Sequence, residues 1–74
     1  MKKILILGAS GFIGKNLVDY LSAYNYELYG TYLKNKPKKN SKIKYYKVNL
    51  KEKKQVNEII KNKDIIIQSA ATTG

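Results

Sequence analysis

Ile4-Leu5-Ile6-Leu7-Gly8-Ala9-Ser10-Gly11-Phe12-Ile13-Gly14-Lys15-Asn16-Leu17-Val18 sets the architecture of the chain. The apolar run Lys3 to Leu7 stops at a glycine, as a strand buried on both faces of a parallel sheet does. From Phe12 onward, Ile13, Leu17 and Leu21 recur at helical spacing with Val18 beside them. Lys15, Asn16 and Asp19 take the other side, so the spacing predicts an amphipathic helix of about three turns. Tyr24-Asn25-Tyr26 ends it, with Asn25 as the expected left-handed cap. Between strand and helix stands a G-x-x-G-x-x-G pattern. Gly8 permits a tight turn off the strand, and Gly11 lets the backbone approach a pyrophosphate closely. Gly14 lets the helix pack on the strand. The amides that open the helix then face the anionic phosphates, aided by the helix dipole.

The rest of the chain repeats this alternation. Leu28 to Tyr32 is a second strand, rich in Tyr and Thr. Leu33 to Lys42 is a polar loop of Lys, Asn and Ser around Pro37. Ile43 to Val48 is a third strand. Lys51 to Asn62 carries Val56, Ile59 and Ile60 on one face and reads as a second helix. Asp64 opens Ile65-Ile66-Ile67, a fourth apolar strand of the buried type that runs on to Ala70-Ala71. The order β-α-β-β-α-β predicts an α/β fold, a Rossmann-type doubly wound parallel sheet that is incomplete. The expected strand order is 3-2-1-4, which leaves the fourth strand on an open edge with Ile65, Ile66 and Ile67 exposed.

Composition narrows the function. The chain has 74 residues, no cysteine and no histidine, which excludes disulfides, Cys-based metal sites and the commonest neutral-pH general base. No metal site is expected. No apolar run reaches the ~20 residues that span a bilayer, so no membrane partner is expected. The apolar run after Met1-Lys2-Lys3 leads into a glycine motif, unlike a signal peptide, and a cytoplasmic location is expected. The net charge of +10 rests on lysines alone. Arginine, which forks onto guanine and phosphate, is absent, so a nucleic-acid partner is disfavoured despite the charge.

The stretch Ile4 to Val18 resembles the extended short-chain dehydrogenase/reductase family, the NAD-dependent epimerases and dehydratases of nucleotide sugars, whose motif often reads T-G-x-x-G-F-I-G. Leu7 stands where that Thr would be. Two later segments carry the same resemblance. Val48-Asn49-Leu50 is similar to the family's Asp-Leu pair after the third strand, where the acid meets the adenine amino group. The Asn49 amide oxygen could still accept that bond, although Asn49 also fits as a cap of the second helix. Asp64 to Thr73 is similar to the fourth strand and the alanines that follow it. By this resemblance Ala70 and Ala71 line the cofactor near ribose and nicotinamide, unless they are small only because packing there is tight.

The resemblance implies a dinucleotide held by Gly8, Ser10, Gly11, Phe12, Ile13 and Gly14, with Thr31, Tyr32, Lys34, Asn49 and Leu50 toward the adenosine. An NAD-specific site has an acid about 20 residues past the glycines. That place falls on Tyr32, and no acid lies between Gly30 and Ser41. Lys34 and Lys36 are near instead, which favours NADP over NAD. The implied reaction is hydride transfer at a nucleotide-sugar carbon, by an epimerase, dehydratase or reductase that could be a homodimer at full length. The family's catalytic Tyr-x-x-x-Lys recurs here only as Tyr32 and Lys36, in the Pro-containing loop at the adenosine end, and is not expected to be catalytic. The catalytic pair and the substrate part are expected beyond Gly74. Residues 1–74 then read as the N-terminal part of an NAD(P)-binding domain with no catalytic residue of its own. The alternative is a non-catalytic NAD(P)-binding module like the family's atypical members.

Overall fold

The structure, a computed structural model, describes residues 1–9, 12–34, 36–37 and 41–69, the side chains of Phe12 and Ile13 excepted. Within these, the elements run β1 (Lys3–Leu7), α1 (Phe12–Leu21), β2 (Glu27–Tyr32), β3 (Ile43–Lys47), α2 (Lys53–Ile60) and β4 (Ile65–Gln68). The strands form one sheet in the order β3-β2-β1-β4. Every pairing is parallel, with Ile4 opposite Leu28 on one side and opposite Ile65 on the other. Leu28 in turn faces Ile43. The architecture and strand order are those the sequence predicts.

The link from β2 to β3 shows why a parallel crossover can do without a helix here. It must return the length of a strand of 6 residues, about 20 Å. Residues 33–42, fully extended, reach about 33–36 Å. No helix occurs among the described residues of that link.

Because neighbouring residues in register point to one face, the sheet's two faces can be separated. Ile4, Ile6, Leu28 and Ile43 form one buried cluster with Ala9 and with Val18 of α1. Leu17, Leu21, Tyr26, Tyr45 and Ile67 pack against it. The opposite face carries Leu5, Leu7 and Thr31, all buried. There α2 lies along β3, with Gln55, Glu58 and Ile59 facing Tyr46 and Val48 across a shallow groove. The chain crosses the sheet one way through α1 and back the other way through α2, so right-handed crossovers put the helices on opposite faces.

Cover is uneven. No residue of α2 is fully buried, and Val56, Ile59 and Ile60 are only half-buried. The exposure expected of a fourth strand on an open edge is found: Ile65 and Ile66 are 39% and 45% exposed. The cause is position, since β4 pairs only with β1 and its outer edge has no neighbouring strand among the described residues. Its inner edge is well tied. Lys3 N–H donates to the Asp64 carboxylate and Asp64 N–H to the Lys3 carbonyl, both at 2.8 Å.

Helix ends differ from the sequence reading. Asn25 is not a left-handed cap; Asn62, with φ 64°, is the positive-φ residue other than glycine among those described. The last carbonyls of α1 are met by other groups. Ser22 Oγ donates to the Asp19 carbonyl at 2.9 Å and Tyr24 N–H to the Leu21 carbonyl at 3.0 Å. With those carbonyls satisfied, no left-handed residue is needed. The second helix is also shorter than the predicted 51–62, since Glu52 is its N-cap and Lys61 its C-cap.

An uncharged, β-prone edge invites pairing with another chain. We expect the chain to self-associate with rising concentration in sedimentation equilibrium. Ile66→Lys should weaken association about tenfold, as expected when one apolar contact gives way to a charge. Unchanged association in that variant would show that β4 is not the contact.

Candidate functional site

The turn after β1 lies at the C-terminal end of the parallel strands, where open α/β sheets bind ligands. Gly8 has φ 79°, a conformation that L side chains avoid. Ala9, fully buried, follows it. The chain then enters α1 at Phe12 with no acidic residue in the first turn of the helix, so nothing there repels an anion. Gly14 presses on the turn from inside the helix. A Cβ on it would lie 2.7 Å from both the Ala9 Cα and the Gly8 oxygen. The packing role predicted for Gly14 is therefore met by a backbone-to-backbone approach that excludes even alanine.

Both flanking strands hold this turn. Gly8 N–H donates to Thr31 Oγ1 at 2.9 Å, and Ala9 N–H donates to the Thr31 carbonyl at 2.9 Å. From the β4 side, Ser69 N–H donates to the Leu7 carbonyl at 2.9 Å. Ser69 Oγ stands 3.0 Å from that same oxygen and 3.1 Å from the Gly8 oxygen.

Of the predicted site residues, Gly8 and Gly14 come together at this turn, and Phe12 and Ile13 form the start of α1. Ser10, Gly11, Ala70 and Ala71 lie outside the described residues. Thr31 needs correcting as a contact residue: it is 1% exposed and its hydroxyl is engaged by Gly8. Tyr32 ends β2 half-buried, and Lys34 beyond it is exposed. The Tyr32 carbonyl accepts from Val48 N–H at 2.9 Å, which brings Asn49 and the exposed Leu50 to the same end of the sheet.

Asn49 does not cap α2, because Glu52 holds that position. Its Oδ1 accepts from Lys51 N–H at 3.0 Å, and its N–H donates to Gln55 Oε1 at 2.9 Å. That local turn leaves the amide oxygen one further acceptor site.

Sequence reasoning missed Gly30 and Ser69. A Cβ on Gly30 would meet the Ala9 Cβ at 2.8 Å, so the strand's own glycine makes room for the turn. A glycine inside a strand pattern is a signal of such close approach. Ser69 had no signal, because its partners depend on the register of β4.

Two features lie away from this site. A groove of about 350 Å³ sits at the other end of the sheet, against Tyr24, Tyr26, Lys42 and Lys44. The phenols of Tyr24, Tyr29 and Tyr45 are all pushed up: Tyr24 chiefly by its hydrogen bond with Tyr20, Tyr29 and Tyr45 chiefly by desolvation. A phenol that shuttles protons at neutral pH needs the opposite shift.

Sheet order, crossovers and glycine turn together define a Rossmann-type α/β protein. The model of the NAD dependent epimerase/dehydratase family matches residues 4–74, and the chain belongs to that family. Over 73 residues it is 41% identical to the bifunctional polymyxin resistance protein ArnA of Wigglesworthia glossinidia brevipalpis, covering 90% of this chain and 11% of that protein. Two solved structures share the fold. Uronate dehydrogenase from Agrobacterium tumefaciens superposes with a TM-score of 0.84 at 22% identity, over 99% of this chain and 27% of that one. The dTDP-glucose 4,6-dehydratase of Bacillus anthracis str. Ames, solved in complex with NAD, gives 0.78 at 22% identity, over 99% and 28%. The chain thus spans a small part of the length of each. No helix among the described residues is long and apolar enough to cross a membrane.

Gly14→Ala should destabilise the chain by about 1–3 kcal/mol, because the clash is with backbone that cannot rotate away. Urea unfolding checks this. An unchanged midpoint would mean that α1 does not sit so close to the turn.

Proposed function

We propose that residues 1–74 are the dinucleotide-binding portion of an enzyme that moves hydride at a carbon of a nucleotide sugar. The observation that carries this reading is the turn Gly8–Gly14. It has a left-handed glycine off β1, a helix start without acid, and a glycine in α1 that lets helix and turn meet. A pyrophosphate fits such a cradle because it needs close backbone and aimed amides more than side chains. In this reading Gly8, Ser10, Gly11, Phe12, Ile13 and Gly14 surround the pyrophosphate. Tyr32, Lys34, Asn49 and Leu50 face the adenosine, and Ala70 and Ala71 face the nicotinamide end.

The nicotinamide, when bound, would take a hydride from the sugar carbon or return it. The chain's own residues bind and orient. Tyr32 and Lys36 stand at the spacing of a proton-shuttling pair, but Tyr32 ends β2 and Lys36 lies in the loop after it, at the adenosine end in this reading, so neither is assigned the proton chemistry. The sugar-nucleotide substrate is supported by family membership and by the dTDP-glucose 4,6-dehydratase among the similar folds.

For the cofactor, the family's description speaks for NAD, whereas the charge at the end of β2 speaks for NADP. Tyr32 stands where an acid would bind the ribose 2′-hydroxyl, and the exposed Lys34 follows. We favour NADP, since a lysine attracts a 2′-phosphate and no carboxylate at Tyr32 opposes it.

Gly11→Val should abolish dinucleotide binding in calorimetric titration while the circular dichroism of the fold is retained. Unchanged affinity would overturn the assignment of the turn. Lys34→Glu should weaken NADPH more than NADH. Because Lys34 is exposed, the difference should stay below about 1 kcal/mol. Equal effects on the two cofactors would remove the case for NADP.

A further inference from the structure

Gly8 joins two peptide units, and each carries one carbonyl and one amide. All four groups are engaged, and among the described residues outside the turn Thr31 and Ser69 reach all of them. On the β2 side Thr31 takes both amides, Gly8 N–H through its hydroxyl and Ala9 N–H through its carbonyl. On the β4 side Ser69 meets both carbonyls: its N–H donates to the Leu7 oxygen, and its hydroxyl, with one proton to give, stands 3.0 Å from the Leu7 oxygen and 3.1 Å from the Gly8 oxygen. The two bonds made by backbone groups of Thr31 and Ser69 continue the strand ladders. The hydroxyl bonds are additional: Thr31 Oγ1 accepts from the Gly8 amide, and Ser69 Oγ shares its proton between the Leu7 and Gly8 carbonyls.

We propose that Thr31 and Ser69 act together as a hydroxyl clamp, positioning residues that fix the Gly8 turn in its anion-receiving conformation. This rests on the dinucleotide reading above. The physical need comes from glycine. A residue without Cβ passes easily between φ values of either sign, so φ 79° is not self-maintaining. If either peptide plane rotates, the direction in which the chain leaves β1 toward α1 changes with it. Holding both planes at all four polar groups prevents that rotation before a ligand arrives, which lowers the cost of ordering on binding. Thr31 is 1% exposed, so water cannot readily replace its hydroxyl at the Gly8 amide. Ser69 also links the turn to the end of β4.

The test uses the 74-residue chain, 15N-labelled, with Thr31→Val, Thr31→Ser, Ser69→Ala and the Val/Ala double variant. Valine keeps the shape of threonine but removes the acceptor. Amide exchange at Gly8 should speed up about tenfold in Thr31→Val while Leu5 and Ile6 stay protected. Thr31→Ser should restore the wild-type rate. The Kd for NADPH should rise about tenfold in Thr31→Val and in Ser69→Ala, a factor that corresponds to ~1.4 kcal/mol, and return toward wild type in Thr31→Ser. The double variant should lose less than the product of the single losses, because one released turn cannot be released twice. Gly8 exchange that ignores the hydroxyl overturns the clamp. So does wild-type affinity in Thr31→Val, and multiplicative losses overturn its action as one device. If the wild-type chain binds no dinucleotide, the functional reading fails, and Gly8 exchange alone decides whether the clamp exists.

Discussion

A glycine α-carbon in a helix touching the backbone of the preceding turn is the constraint from which the rest of this structure follows. Gly14 sits so near Ala9 and Gly8 that no side chain fits between. That approach fixes the angle at which α1 leaves β1. The angle in turn carries Val18 onto Ile4, Ile6 and Leu28, the centre of the buried cluster. The same contact brings the start of α1 to the turn at the C-terminal end of the strands. Stability and site thus share one tight contact. Gly30 meets the turn from the next strand, under the Ala9 methyl group, so the turn is wedged between two glycines while polar bonds hold its peptides.

The sheet is asymmetric in strength. One face has a buried cluster of side chains from three strands and α1. The other has a short helix with no fully buried residue, and the isoleucines of β4 are partly open to solvent. Parallel sheets normally have both faces covered. A domain of this size buries a modest share of its surface and is marginal by itself. The lysines raise solubility through charge and, apart from Lys63, whose Nζ lies 4.6 Å from the Tyr29 ring centroid, are mostly exposed. The ion pair of Lys3 with Glu27, at 4.0 Å and well exposed, is of the kind that contributes little. What ties the sheet's edge is the paired exchange between Lys3 and Asp64, where backbone and carboxylate both take part.

Much of the fold was legible in the residues themselves. Apolar runs that end at glycine, helical spacing after Gly14 and the alternation of strand and helix all act locally, and local pattern is what a sequence records. The strand order followed from the same alternation joined to the family resemblance. The role of Gly14 in packing was readable too, because the absence of a side chain is itself a local fact. The register of β4 and the ends of the helices were decided by tertiary structure. The Asn25 cap failed because Ser22 and the following turn satisfied the same carbonyls. The buried look of Ile65-Ile66-Ile67 describes what the residues suit, whereas burial depends on what lies beside the strand. Thr31 shows the difference most plainly. Its position near the cofactor end was readable, but a hydroxyl can meet a ligand or its own backbone. Only the pairing of β1 with β2, which sets Gly8 N–H 2.9 Å from that oxygen, decided for the backbone. Ser69 was invisible until β4 was laid beside β1, since hydrogen bonds between residues 61 and 62 positions apart have no trace in local spacing.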